Sequence, residues 1–130
     1  MNKYHGILLD TEFTDPNYLS QFRVFAKKKS NRNPWTAYGV IVSGDMLDET
    51  VREIQSLLIP NAPYYTHLYN EDEVIVIFKE RFFKVTYDKK TWDEVLNFGN
   101  SLGIPKNQMD IKPCRFEDEE KYFGKENYLI

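Results

Sequence analysis

Two apolar segments separated by three residues constrain the fold of this chain more than any other feature of its sequence. Residues 74–78 and 82–87 are rich in β-branched and aromatic side chains, which favour strands. Because only residues 79–81 lie between them, the two segments are predicted to form an antiparallel β-hairpin. The first strand is apolar at every position, so we expect it to be covered on both faces, or nearly so.

Two amphipathic helices are predicted on either side of this hairpin. Between residues 46 and 59, apolar side chains recur at steps of three and four, the spacing of one buried helix face, and Asp45 is expected to cap the first turn. A second helix is predicted to begin at Thr91, because Thr91 and Glu94 fit a capping box. Gly103 suits the left-handed backbone position just past the end of this second helix.

Further strands complete a topology prediction. One lies at residues 38–43, ahead of the first helix, and another at 109–113, after the second. Strand, helix, hairpin, helix, strand is the βαββαβ order of a ferredoxin-like unit, here spanning residues 37–116, with both helices on one sheet face. Residues 4–10 and 21–27 are predicted to pair as an N-terminal β-hairpin that extends the antiparallel sheet or caps its open face.

The middle of the chain permits a different topology. If residues 64–69 form a further strand that turns through Asn70 into the hairpin, the three strands make a meander and the ferredoxin-like order is broken. The acidic residues 117–120 predict a short C-terminal helix, because they complement the positive end of a helix dipole. The expected class is α+β, in a single domain of residues 1–130.

Composition indicates the cellular compartment and limits the expected classes of binding partner. The chain is 42% hydrophobic and 15% aromatic, which is too apolar for a disordered protein. Its one cysteine, Cys114, favours a reducing compartment, and the apolar run at residues 7–9 is too short for a signal peptide or a membrane span. We therefore expect a cytoplasmic protein with no membrane partner. A net charge of −3 argues against nucleic acid as a partner.

Tyr65, His67 and Tyr69 are candidate binding residues, because they would share one face of an extended strand. Histidine titrates near neutral pH and phenols can orient a substrate, so this face could form a Tyr/His/carboxylate pocket if Asp10 or Glu12 lay beside it. The simpler interpretation is a cross-strand aromatic cluster that includes a hydrogen-bonded histidine. The catalytic residues of such an enzyme are not identified by the sequence.

The sequence contains no motif for a metal, a cofactor or an activated nucleophile. The side chains able to ligate a metal are scattered, without the CxxC, HxH or HExxH spacing of known sites. Cys114 has Pro113 and Arg115 as neighbours rather than a histidine-bearing motif, and phosphate-binding glycine loops are absent. We therefore expect neither a metal nor a cofactor.

A basic segment from Lys27 to Trp35 provides a second set of candidate binding residues. Lys28 and Arg32 could contact phosphates while Trp35 stacks on a base, and a ferredoxin-like sheet is also a scaffold for RNA recognition. The simpler interpretation is a solvated hairpin loop with Trp35 packed at the edge of the core. The segment therefore keeps an RNA-associated module open as an alternative.

Three functions are thus compatible with the sequence. The leading expectation is a non-catalytic binding or assembly module with a protein partner, or a homodimer joined through sheet edges or an aromatic surface, since aromatic residues are enriched in interface cores. The alternatives are a small enzyme with a Tyr/His/carboxylate pocket and an RNA-associated module. The fold by itself does not choose among them, because ferredoxin-like scaffolds support many unrelated functions.

Overall fold

The computed structural model describes residues 3–60, 65–104 and 115–129 of the chain. These residues form an α+β fold with a six-stranded antiparallel sheet and three α-helices. The strands are β1 (Lys3–Leu9), β2 (Arg23–Lys29), β3 (Thr36–Ser43), β4 (Tyr65–Tyr69), β5 (Glu73–Phe78) and β6 (Phe82–Thr86). The helices are α1 (Leu47–Leu57), α2 (Asp93–Ser101) and α3 (Glu119–Phe123).

The strands are arranged in the order β2-β3-β1-β4-β5-β6, and every neighbouring pair is antiparallel. The predicted β5–β6 hairpin is confirmed: the backbone N–H of Phe78 donates to the carbonyl of Arg81 at 2.8 Å. Strand β4 enters this hairpin through a turn in which Asn70 Oδ1 accepts from the N–H groups of Asp72 and Glu73. Strands β4, β5 and β6 therefore form the meander of the alternative interpretation.

One face of the sheet, here called the front face, is covered by α1. Ile54 of this helix packs in a fully buried layer with Leu8, Leu68 and Ile77 from three of the strands. A 3-10 turn over Pro16–Gln21 extends the cover towards β2 and β3. Burial of these side chains is the main contribution to the stability of this layer.

The opposite face, the back face, is covered by two helices. On one half, Val95 of α2 packs with Val76 and Phe83 from β5 and β6. On the other half, Phe123 of α3 meets the ring of Phe25 from β2, with ring centroids 5.7 Å apart. Strand β5 lies under helices on both sides and is buried from its second residue to its last, so its predicted two-sided cover is confirmed.

The ferredoxin-like topology predicted for residues 37–116 is not confirmed, because the strand order differs. That topology requires β3 to lie beside β6 in parallel, whereas β3 lies between β1 and β2 and is antiparallel to both. The connections from β4 to β5 and from β5 to β6 are only three residues long, which permits antiparallel neighbours alone. The meander therefore fills one half of the sheet, and β3 takes its partners from the N-terminal strands.

Two further predictions about the layout are wrong. The strands predicted at residues 4–10 and 21–27 do not pair with each other, because β3 separates them: Val40 lies opposite both Gly6 and Val24. Both strands do extend the antiparallel sheet. The helices lie on both faces rather than on one, since β5 has no polar face that could be left in water.

The helix ends differ in part from the predictions. Neither α1 nor α2 has a side-chain N-cap, so the predicted caps at Asp45 and Thr91 are wrong. The Thr91 hydroxyl instead donates to the carbonyl of Asp88 in a preceding 3-10 turn. The predicted left-handed residue after α2 is confirmed, since Gly103 has a φ of 91° and Ile104 N donates to Gly99 O.

The short C-terminal helix predicted after residue 116 is confirmed as α3. The strand predicted at residues 109–113, and with it Cys114, lies outside the described residues. Among the helices that are described, none combines the length and apolar character needed to cross a lipid bilayer.

Candidate functional site

The three candidate side chains of β4 share the back face, as strand alternation requires. The rings of Tyr65 and His67 meet edge to face with centroids 5.3 Å apart, and Tyr65 also lies 5.5 Å from the ring of Phe78. Tyr69 is buried and lies opposite His5 of β1. These residues belong to a packed aromatic layer, and their role in binding stays a prediction.

A carboxylate does reach this face, but it comes from α3. Glu119 Oε2 accepts a hydrogen bond from the Tyr69 hydroxyl at 2.6 Å and lies 2.6 Å from His5 Nδ1. The Glu119 side chain is only 6% exposed, and a buried carboxylate is tolerated only with such partners. The three groups fasten α3 to the two central strands. Because His5 and Glu119 are 114 positions apart, no local pattern could have revealed this cluster.

The packing around this cluster limits its chemistry. An imidazole oriented by a carboxylate is an arrangement used in general acid–base catalysis. Here the His5 ring also packs against the rings of Phe25 and Phe116, with centroids at 4.8 and 4.3 Å. These rings occupy the space in which a substrate would have to lie, which favours a structural role for the cluster.

The acids considered as partners of His67 have separate roles. Asp10 Oδ1 accepts the backbone N–H of Thr36 at 2.9 Å, which ties the end of β1 to the start of β3. Burial raises the pKa of Glu12 to about 8, although a hydrogen bond with the backbone of Leu9 acts in the opposite direction. Within residues 3–60, 65–104 and 115–129, no three His, Cys, Asp or Glu side chains are grouped as metal ligands.

The candidate RNA-binding residues have three different environments. Lys28 Nζ donates to the carbonyl of Tyr122, so this lysine is engaged with α3. Arg32 is exposed in a loop in which Ser30 Oγ accepts its backbone N–H. Trp35 is partly buried against the core beneath α3. This placement corresponds to a solvated hairpin loop with Trp35 at the core edge.

The outer edge of β6 ends the sheet, and the hairpin geometry fixes which backbone groups it presents. The bond from Phe78 N to Arg81 O directs the backbone groups of Arg81 towards β5. Since inward and outward groups alternate along an antiparallel strand, Phe82, Lys84 and Thr86 direct their N–H and C=O groups outward. This edge therefore presents a row of hydrogen-bonding groups to whatever lies beside it.

The described residues satisfy one end of this row but not the rest. The N–H of Thr86 donates to Thr91 Oγ1 at 3.1 Å, and the Thr86 carbonyl accepts from Trp92 Nε1 at 2.8 Å. No described residue bonds the outward backbone groups of Phe82 and Lys84. The open part of the edge is thus the segment from Phe82 to Lys84, and we call it the β6 edge.

A groove of about 560 Å³ runs along the β6 edge on the back face, between β6 and the start of α2. Arg81 lies at one end of it, with its guanidinium 4.4 Å from the Phe83 ring centre and 3.7 Å from Glu94 Oε2. Phe82, Phe83, Val85 and Val95 contribute apolar lining. The remaining lining is charged or polar and includes Lys84, Lys90, Thr91 and Asp93.

On the front face, the β6 edge exposes an aromatic ring and a cation side by side. Phe82 is 46% exposed. The Lys84 side chain is 58% exposed, and its Nζ lies 4.0 Å from Glu73 Oε2. The sequence predicted this hairpin but not its position at the end of the sheet, which depends on the global strand order.

Comparisons with known proteins found no match among protein-family models, curated proteins or solved structures. A proposal of function therefore rests on the geometry described above.

Proposed function

We propose that this chain is a non-catalytic binding and assembly module that takes up an extended strand along the β6 edge. One observation carries the proposal: the outward backbone groups of Phe82 and Lys84 have no partner among the described residues, beside an open groove. An unpaired strand edge is a template for another strand, and strand addition is a common mode of peptide recognition.

The geometry specifies how such a strand would lie. Main-chain bonds to Phe82 and Lys84 would place an incoming side chain opposite Phe83, where it points to the back face and into the groove. The two flanking side chains would lie on the front face, one over the Phe82 ring and the other beside the Lys84 ammonium group. The site thus recognises a short extended segment through its main chain first and through alternate side chains second.

The proposal can be tested with a capped peptide of about seven alternating threonine and valine residues, the length of an ordinary strand. Titration followed by NMR should shift the amide signals of Phe82 and Lys84 more than any others. A peptide N-methylated at alternate positions cannot donate to the edge and should cause no such shifts.

The matched variants are Lys84→Pro and Lys84→Ala. Proline removes the outward N–H without breaking a bond to β5, so peptide shifts should disappear, whereas alanine keeps the N–H and should retain them. Peptide-induced shifts confined to other parts of the chain, or equal binding by the proline variant, would refute strand uptake at β6.

A small enzyme is the second candidate, favoured by the contact of a histidine, a tyrosine and a carboxylate at His5, Tyr69 and Glu119. We rank it lower because the Tyr69 side chain and Glu119 are buried and aromatic rings pack against the imidazole. An RNA-associated module has less support, since Lys28 is bonded to α3 and Trp35 packs on the core. A cytoplasmic location and a single domain stay predictions from the sequence.

A further inference from the structure

We infer that the strand taken up at the β6 edge is β6 of a second copy of this chain, antiparallel and centred on Phe83. This inference rests on the proposed function and names its partner. It would join the two sheets into one continuous antiparallel sheet through a two-fold symmetric interface, in which the same patch of each copy meets its counterpart.

The alternation of backbone groups selects this register. A hydrogen-bonded pair needs outward groups on both residues, and the open edge offers these only at Phe82 and Lys84. Centring on Phe83 pairs Phe82 of each copy with Lys84 of the other, so both open residues of both copies are used. Registers that pair Phe82 with Phe82, or Lys84 with Lys84, leave half of these groups without a partner.

The front-face side chains are self-complementary in this register. Each Lys84 lies directly opposite Phe82 of the second copy, so its aliphatic stem can cover the exposed ring and its ammonium group can lie over the ring face. Like charges are not opposed, because the two Lys84 residues are diagonal neighbours. Pairing would therefore bury the exposed apolar surface of Phe82 in both copies.

The back face adds charge complementarity. In the same register, Arg81 of each copy lies opposite Val85 of the other, and Val85 lines the groove together with Asp93 and Glu94. The Arg81–Glu94 contact within one copy is long and exposed, so it is weak and can be exchanged for contacts across the interface. Each arginine can then reach the acidic groups of the other groove.

The interface is short, and its small buried area limits the expected affinity of the dimer. Two strands of five residues bury far less surface than a standard protein–protein interface, so we expect a dissociation constant of about micromolar order. Sedimentation equilibrium over a range of protein concentrations should show a shift from 15.5 kDa to twice that mass. The Lys84→Ala variant keeps the outward N–H but loses the cover of the Phe82 ring, so it should dimerise more weakly than the original chain. The Lys84→Pro variant should stay monomeric at every concentration.

Cysteine pairing tests the register itself. In a Cys114→Ser background, Phe82→Cys and Lys84→Cys are prepared as separate variants. Hydrogen-bonded antiparallel pairs have Cα atoms about 5.5 Å apart, a separation that suits a disulfide. Oxidation of a mixture of the two variants should give a cross-linked dimer, and oxidation of either variant alone should give monomer.

Each outcome distinguishes the inference from the proposed function. A chain that stays at 15.5 kDa while the threonine–valine peptide still shifts the β6 amides overturns self-pairing and retains strand uptake. A monomer with no peptide response overturns both. A dimer that persists in a folded Lys84→Pro variant, or disulfides formed by either cysteine variant alone, shows a different interface or register and refutes this one. If the proline variant does not fold, the cysteine variants still test whether the two copies pair in this register.

Discussion

The two edges of the sheet are protected to very different extents. At the β2 edge, the register shifts between Val24 and Ala26, so the strand is irregular, and it ends in three lysines. The chain also covers this edge itself: Tyr128 bridges to Ala26, and Leu129 N donates to Phe25 O at 2.9 Å. At the β6 edge the register is regular and the only lysine is Lys84.

This difference supports the proposal that β6 is the edge that takes up a partner. Bulges, lysines and covering segments are the devices by which proteins prevent edge-to-edge association. All three are present at β2, whereas Phe82 is exposed on a β6 edge of regular register. The contrast supports the proposal that β6 is the assembly edge, and the following changes test it.

Loosening α3, which packs on the back face against β2 and precedes the segment that covers the β2 edge, should have the largest effect. Phe123 is 1% exposed and packs against Phe25 over Gly39, where a side chain would collide with both rings. Phe123→Ala should lower the free energy of unfolding by about 3–5 kcal/mol through lost burial and a cavity. Urea denaturation measures this loss. The exposed Leu129 provides the control, and Leu129→Ala should cost less than about 0.5 kcal/mol.

The same variant tests the comparison directly. With α3 loosened, the β2 edge should lose its cover, and hydrogen exchange at its amides should accelerate more than exchange at inward-facing amides of β6. Uniform acceleration across the sheet would show that α3 stabilises the whole fold rather than that edge.

Breaking the buried cluster should have the next largest effect. Glu119→Ala leaves the Tyr69 hydroxyl and His5 Nδ1 without their carboxylate, and should lower the free energy of unfolding by about 2–3 kcal/mol. Tyr69→Phe removes one of the two contacts and should cost about 1 kcal/mol. Urea denaturation of both variants measures these two losses. Equal losses would mean that the His5 contact contributes nothing.

A change at Glu12, in the 3-10 turn that follows β1, lies outside both edge strands. Burial raises the pKa of Glu12 from 4.5 to about 8, so the folded state holds a proton that the unfolded state releases between these values. The free energy of unfolding should therefore fall as the pH rises from about 4.5 to about 8. Glu12→Gln should remove a fall on the order of 1–2 kcal/mol, less than full linkage because the side chain keeps some contact with water. Urea denaturation at the two ends of this window measures it, and an unchanged pH dependence would contradict it.

The smallest changes in the free energy of unfolding are expected from replacing one lysine on each edge of the sheet. Lys28 Nζ donates to Tyr122 O at 3.0 Å and lies 5.7 Å from the Tyr122 ring centre, so Lys28→Ala should cost about 0.5–1 kcal/mol. The ion pair that the described residues offer Lys84 is a long, exposed contact with Glu73, so Lys84→Ala should cost less than about 0.5 kcal/mol, measured on dilute protein to avoid association. A larger loss at Lys84 would show that its role lies within the monomer.

Several elements of the fold, but not the contacts between distant segments, could be predicted from the sequence. The β5–β6 hairpin, the helices α1 and α2, the left-handed Gly103 and the short α3 were all predictable, because each depends on neighbours within a few residues. The candidate residues Tyr65, His67 and Tyr69 do share a face, since strand alternation is local. Their carboxylate partner was not predictable, because Glu119 arrives from the far end of the chain.

Local sequence patterns were sufficient to specify the set of elements and the two-sided burial of β5, because periodicity and β-branched content act over short distances. The order of the strands, and hence which strand lies at an edge, depends on the whole tertiary fold. Pairing partners are chosen by competition among all strands of the chain, and that competition placed β3 between β1 and β2 and left β6 at the end. The open edge at Phe82 and Lys84 is therefore a property of the assembled sheet rather than of any segment within it.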